Sequence, residues 1–101
     1  MALVKVAEVH EIPAGSAKRV LVKRQKIALF HVDGGFYAIG DTCSHAEASL
    51  SEGQIMGCQV ACPLHGARFD IKTGEALTFP AVTPVETYRV VIEGSDILVE
   101  V

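Results

Sequence analysis

Two short loops carry the chemistry of this sequence. One reads Asp41-Thr42-Cys43-Ser44-His45-Ala46 and the other Ala61-Cys62-Pro63-Leu64-His65-Gly66-Ala67. The pattern is C-x-H, sixteen intervening residues, then C-x-x-H. Thiolate and imidazole are soft and borderline donors suited to iron–sulfur clusters, zinc and copper. Two close-spaced pairs at moderate separation are how a chain clamps a metal from two loops. Three cysteines in a chain that shows no export signal favour metal over disulfide. Cys58 is a rival donor, and a structural zinc on Cys43, Cys58, Cys62 and one histidine is chemically feasible. That reading leaves the paired histidine spacing unexplained, so Cys58 is expected to be a small buried apolar side chain. His10 and His31 lie outside the pattern, and His31 reads as a satisfied strand histidine. Tyr37, Tyr88 and Met56 read as packing residues; Asp41 and Asp70 could orient ligands or bind partners, with surface charge as the default reading. No phosphate loop, nucleophile elbow or paired-carboxylate arrangement is present.

Short strands must hold these loops. Residues 97, 99 and 101 (Ile, Val, Val) alternate with Asp96, Leu98 and Glu100, the period-2 signature of a half-buried strand. Residues 85–92 are rich in β-branched side chains, and Glu93-Gly94-Ser95-Asp96 is a turn signal joining the two. Residues 18–23 and 26–32 form a second expected pair, whose lysines and arginines fit exposed positions of a hairpin. Asp33-Gly34-Gly35 then turns the chain into residues 36–39. A single turn of helix is expected at residues 46–51. The fold class is therefore all-β, a small antiparallel sandwich. One domain covers residues 1–101, with a subdomain of two loops, about residues 40–77, inserted to carry the chemistry.

The two loops identify a family. The chain resembles the Rieske [2Fe–2S] proteins over nearly its whole length. Cys43-Ser44-His45 and Cys62-Pro63-Leu64-His65-Gly66 match that family's two binding motifs, and Arg68-Phe69-Asp70 with Thr73-Gly74 resembles the continuation in its soluble ferredoxins. The resemblance implies one [2Fe–2S] cluster, with Cys43 and Cys62 on one iron and His45 and His65 on the other. Gly66 is expected where backbone amides approach sulfide and a Cβ would obstruct them. Pro63 fixes φ within its loop. Residues 78–84, which include Pro80, resemble the family's third loop over the cluster.

Rieske centres span about −150 to +300 mV. Two ferric ions, two sulfides and two thiolates sum to zero charge, so adding an electron is easier than at a four-thiolate site. Ala48 and Leu64 stand at what resemble the positions of an extra cysteine pair in high-potential members. Ala67 and Phe69 stand where those members carry Ser and Tyr. Without hydroxyl donors, charge on sulfur is less stabilised, so the expected potential lies near −150 mV, the bottom of the range. Reduction should also raise the imidazole pKa values, so that the potential falls at alkaline pH.

The likeness is greatest to ferredoxin components of bacterial aromatic-ring-hydroxylating dioxygenases. It implies a one-electron carrier, not itself an enzyme, between a flavin-containing NADH-dependent reductase and a terminal Rieske non-haem-iron oxygenase. A Rieske subunit of another redox enzyme, such as nitrite reductase, and a metal-stabilised interaction module are the alternatives. The composition agrees with such a role. The chain has 101 residues, 50% hydrophobic and 21% charged, with a net charge of −3, which disfavours nucleic acid as a partner. Residues 41–75 hold five acids and two bases, enough for an acidic docking surface. The longest charge-free stretch, residues 53–67, is 15 residues and broken by glycine and proline, against about 20 needed to cross a membrane. No secretory signal is expected, and the expected location is the cytoplasm.

Overall fold

The computed structural model describes residues 2–43, 48–64, 66–79, 81 and 83–101. Among the described residues ten strands run in order: β1 (Leu3–Glu8), β2 (Ser16–Val22), β3 (Gln25–Val32), β4 (Gly35–Gly40), β5 (Gln54–Met56), β6 (Gln59–Ala61), β7 (Arg68–Asp70), β8 (Thr87–Tyr88), β9 (Val90–Glu93) and β10 (Asp96–Glu100). They form three antiparallel sheets, ordered β1-β10-β9, β2-β3-β4-β8 and β5-β6-β7. Among the described residues the only helical pieces are 3-10 turns at Val9–Glu11 and Leu50–Glu52.

The organising strand is β3. Ile27, Ala28, Leu29 and Phe30 are all fully buried, an apolar run that fits a strand covered on both faces. Ile27 and Leu29 pack with Val20, Val22, Ala38, Ile97 and Val99, closing the sandwich between the first two sheets. Ala28, Phe30 and Val32 point the other way, into a second core with Ile39, Leu50, Val60, Phe69 and Ile71. Each fully buried side chain of this size contributes about 1.5–3 kcal/mol. Asp33 (φ 51) and Gly34 (φ 74) form the expected turn into β4, with both central residues left-handed as a tight hairpin requires. The β2–β3 turn achieves the same geometry with Lys23 (φ 48) and Arg24 (φ 67).

Two expected elements differ in detail. Residues 85–92 do not form one strand: Val85 and Glu86 lie outside any strand, Thr87–Tyr88 pairs with β4, and Val90–Glu93 pairs with β10. The chain changes sheets at Arg89, whose carbonyl accepts from the Glu100 N–H (2.9 Å). β-branching reports strand preference, not which sheet receives the strand. The helical turn expected at 46–51 is a 3-10 turn at Leu50–Glu52, and residues 46 and 47 lie outside the described residues. No helix among the described residues is long and apolar enough to cross a membrane.

Candidate metal centre

The second core is where the two cysteine loops meet. Cys43 follows β4 and Cys62 follows β6, and both side chains are buried, at 3% and 2% exposure. They lie in one cluster with Ala67, Phe69, Ile71 and Ala81. The Cys62 thiol hydrogen-bonds to Cys43. Residues separated by about twenty positions in sequence are thus brought to touching distance by β5, β6 and β7.

Each loop is closed at its base by its own backbone. The Cys43 N–H donates to the Ala48 carbonyl (2.9 Å), and Thr42 and Ser49 form an antiparallel bridge. In the second loop the Cys62 N–H donates to the Ala67 carbonyl (2.7 Å) and the Gly66 N–H to the Cys62 carbonyl (3.2 Å). The Leu64 N–H donates to the Cys62 sulfur. Gly66 has φ +71, while a Cβ there would meet no protein atom within 4 Å; within the chain, glycine is required for its left-handed backbone. The third loop is pinned from below. The Val85 N–H donates to the Gly74 carbonyl (2.9 Å), and a Cβ on Gly74 would lie 2.3 Å from the Val85 carbonyl oxygen. Ala81 of that loop is buried in the same core as the two cysteines.

The electrostatics favour a bound cation. Burial, with the hydrogen bond to Cys43, pushes the Cys62 thiol up from 9.0 to about 11. The Cys62 thiol is thereby held protonated at neutral pH, and a soft metal would stabilise its thiolate where water cannot. The donor set therefore fits the sulfur side of a [2Fe–2S] group. His45, His65 and Pro80 lie outside the described residues. Among the described residues no three His, Cys, Asp or Glu gather as a metal site, so the nitrogen side rests on the sequence pattern.

The other expectations resolve individually. Leu64 is 48% exposed, whereas Ala67 and Phe69 are fully buried and offer no hydroxyl to the cysteine core. Cys58 is half-buried rather than buried and packs at the edge of that core; none of the three cysteines forms a disulfide. His31 is satisfied as expected, its Nδ1 2.8 Å from the Ile12 carbonyl and its ring stacked on Phe36. Asp41 is not a surface charge: it is 1% exposed, the only buried charged residue among those described. Its carboxylate accepts from Ser49 Oγ (2.5 Å) and the Ser51 N–H (2.9 Å). Asp70 is half-buried and accepts from the N–H groups of Lys72 (2.8 Å) and Thr73 (3.0 Å), closing the turn after β7. The acidic stretch is thus partly consumed in structure. The sequence reading did not foresee the exposure of three large apolar side chains, Leu64, Leu77 (37%) and Phe79 (84%). Leu77 and Thr78 are tied to Arg68 of β7 by two hydrogen bonds of 2.8 and 2.9 Å.

Known proteins give the arrangement its family. The family model described as "Rieske [2Fe-2S] domain" matches residues 2–89. The 3-phenylpropionate/cinnamic acid dioxygenase ferredoxin subunit of Shigella boydii serotype 4 (strain Sb227) is 50% identical over 93 residues, covering 91% of this chain and 87% of that protein. The ferredoxin of carbazole 1,9a-dioxygenase from Nocardioides aromaticivorans IC177 superposes with a TM-score of 0.93 at 36% identity, covering 98% of this chain and 97% of that one. A chain in a complex of reduced oxygenase and oxidized ferredoxin in carbazole 1,9a-dioxygenase superposes at 0.90 with 34% identity, over 96% of this chain and 91% of that one. The all-β fold, the buried cysteine pair and these likenesses agree: the chain belongs to the Rieske [2Fe–2S] family, as a ferredoxin similar to those of dioxygenase systems.

Proposed function

We propose that this chain is the one-electron carrier of an aromatic-ring dioxygenase system, taking electrons from a flavin-containing NADH-dependent reductase and delivering them to a terminal Rieske non-haem-iron oxygenase. When bound, the [2Fe–2S] cluster supplies one-electron redox chemistry. Cys43 and Cys62 hold one iron as thiolates, and His45 and His65 hold the other through imidazole nitrogen. Residues 1–101 act as a single domain, with about residues 40–77 as the part that grips the cluster. The backbone N–H of Leu64 donates to the Cys62 sulfur and favours its thiolate. Ala67 and Phe69 exclude water from the sulfur side and lend no hydroxyl, which keeps the potential near −150 mV, at the foot of the Rieske range. By resemblance to the family, the stretch that includes Pro80 would cover the centre. The protein works in the cytoplasm, where its reductase and NADH are.

One observation carries this reading: two thiols from separate loops, both buried, in hydrogen-bond contact inside a core otherwise made of apolar side chains. The exposed Leu64, Leu77 and Phe79 offer a partner apolar side chains. The test is reconstitution. Reduced protein mixed with a terminal dioxygenase and its aromatic substrate should sustain product formation when a reductase and NADH are supplied, and omission of the protein should abolish it. No electron delivery to any such oxygenase would refute the carrier role, and a clearly positive midpoint potential would refute the account of Ala67 and Phe69.

A further inference from the structure

Asp41 is costly where it sits. A carboxylate at 1% exposure loses most of its hydration, a penalty of several kcal/mol unless hydrogen bonds replace water. Its bonds all converge on one place. Oδ2 accepts from Ser49 Oγ (2.5 Å) and Oδ1 from the Ser51 N–H (2.9 Å). The Asp41 backbone carbonyl accepts from the Leu50 N–H (2.7 Å), and its own N–H donates to the Lys26 carbonyl (3.0 Å). Ser49 Oγ lies 2.8 Å from Ser51 Oγ, which braces the same turn. Asp41 therefore joins the start of β3 to both ends of the first loop: the strand side through Thr42 and Cys43, and the return side through residues 49–51.

We propose that the Asp41 carboxylate is a positioning residue that ties the chain entering Cys43 to residues 49–51, so that Cys43 is presented to the cluster in fixed geometry. This rests on the reading that the two loops supply the cluster ligands. The bridge between Thr42 and Ser49 and the Cys43–Ala48 bond join the same two stretches through the backbone. The carboxylate adds side-chain ties to Ser49 and Ser51, while the Asp41 N–H anchors the residue to Lys26 of β3; the ends of a loop with few such bonds fray readily.

The experiment compares holoprotein carrying Asp41→Ala, Asp41→Asn and Ser49→Ala with the wild type. Three quantities are read: exchange of the Cys43 amide hydrogen relative to β3 amides, iron loss to a chelator, and the reduced-state magnetic resonance spectrum. Asp41→Ala should accelerate Cys43 exchange and iron loss by about tenfold or more, the equivalent of about 1.4 kcal/mol, and should shift the spectrum. Asp41→Asn keeps a side-chain oxygen in place and should recover most of the wild-type exchange and spectrum. Ser49→Ala, which loses one arm only, should fall between, and these two variants decide the matter if Asp41→Ala does not fold. Wild-type exchange and iron loss in Asp41→Ala, or acceleration no larger than that of β3, would overturn the proposal. So would an Asp41→Asn variant as impaired as Asp41→Ala, since charge and not fastening would then be responsible. If His45 is not a ligand, the wild-type spectrum shows it directly, while amide exchange still reports on the fastening.

Discussion

The core between the first two sheets is lined by Ala7, Ile12, Val20, Val22, Ile27, Leu29, Ala38, Ile97 and Val99, aliphatic throughout. The core at the other face of β3 contains Cys43 and Cys62 among its apolar side chains. The first is closed by strands of five to eight residues, β1, β2, β3, β4 and β10, whose ladders are long, with one register shift between Lys5 and Ala7 of β1. The second is closed by three strands of three residues each, together with turns and the two loops. Long ladders with alternating burial need no cofactor to be stable. Short strands around the buried Cys43 and Cys62 have less ladder to hold them, and a metal taken by those two sulfurs, as proposed, would add to their stability. The first region is a platform and the second is a socket, with β3 shared between them.

The contrast is broken most severely by Cys62→Ser. Its expected result is near-complete loss of iron and visible absorbance on purification, with the far-ultraviolet circular dichroism of the β platform retained. Full cluster occupancy in that variant would remove Cys62 from the ligand set, and an unfolded platform would show that the two cores are not separable. Next in size is Leu29→Ala, which opens a cavity in the aliphatic core. It should cost about 2–5 kcal/mol in denaturant unfolding and leave the reduced-state spectrum unchanged. A changed spectrum would mean that the platform reaches the ligands through β3.

Legibility followed the same division. The platform could be read from period-2 burial at Ile97 and Val99, from the unbroken run Ile27-Ala28-Leu29-Phe30, and from the Asp33-Gly34 turn. Those signals are local, because a strand writes its burial into its own alternation. The cysteine loops were equally plain, since metal donors advertise themselves by type and spacing. The sheet change at Arg89 was not legible, because strand propensity carries no information about partner. Burial of Asp41 was also missed: charge alone suggests solvent, and only the fold reveals that Ser49 and Ser51 return to meet it. Cys58 was expected inside and lies at an edge, a difference of packing depth that a six-residue window cannot encode.

A smaller effect belongs to the cluster-free chain. The Cys62 pKa is about 11 in the folded state against 9.0 normally, so protonated thiol favours the fold. That contribution is complete below pH 9 and lost as pH rises toward 11, amounting to up to about 3 kcal/mol. The unfolding free energy of apoprotein should fall across that window, and that of Cys62→Ala apoprotein should fall less. Equal slopes would contradict burial as the cause. The smallest change in stability is expected for Phe79→Ala. With the side chain 84% exposed, stability should move by less than about 0.5 kcal/mol. Electron delivery to the oxygenase should nonetheless slow. Unaltered delivery would take Phe79 out of the contact surface.

The account stands on a cluster held by sulfur on one iron and nitrogen on the other. Pulsed electron paramagnetic resonance of the reduced protein, labelled with nitrogen-15 histidine, tests this most directly. Strong coupling to two imidazole nitrogens is the expected result, reduced to one in His45→Cys or His65→Cys variants that retain a cluster. A wild-type spectrum without histidine nitrogen coupling, or a protein without iron and acid-labile sulfide after anaerobic preparation, would contradict it.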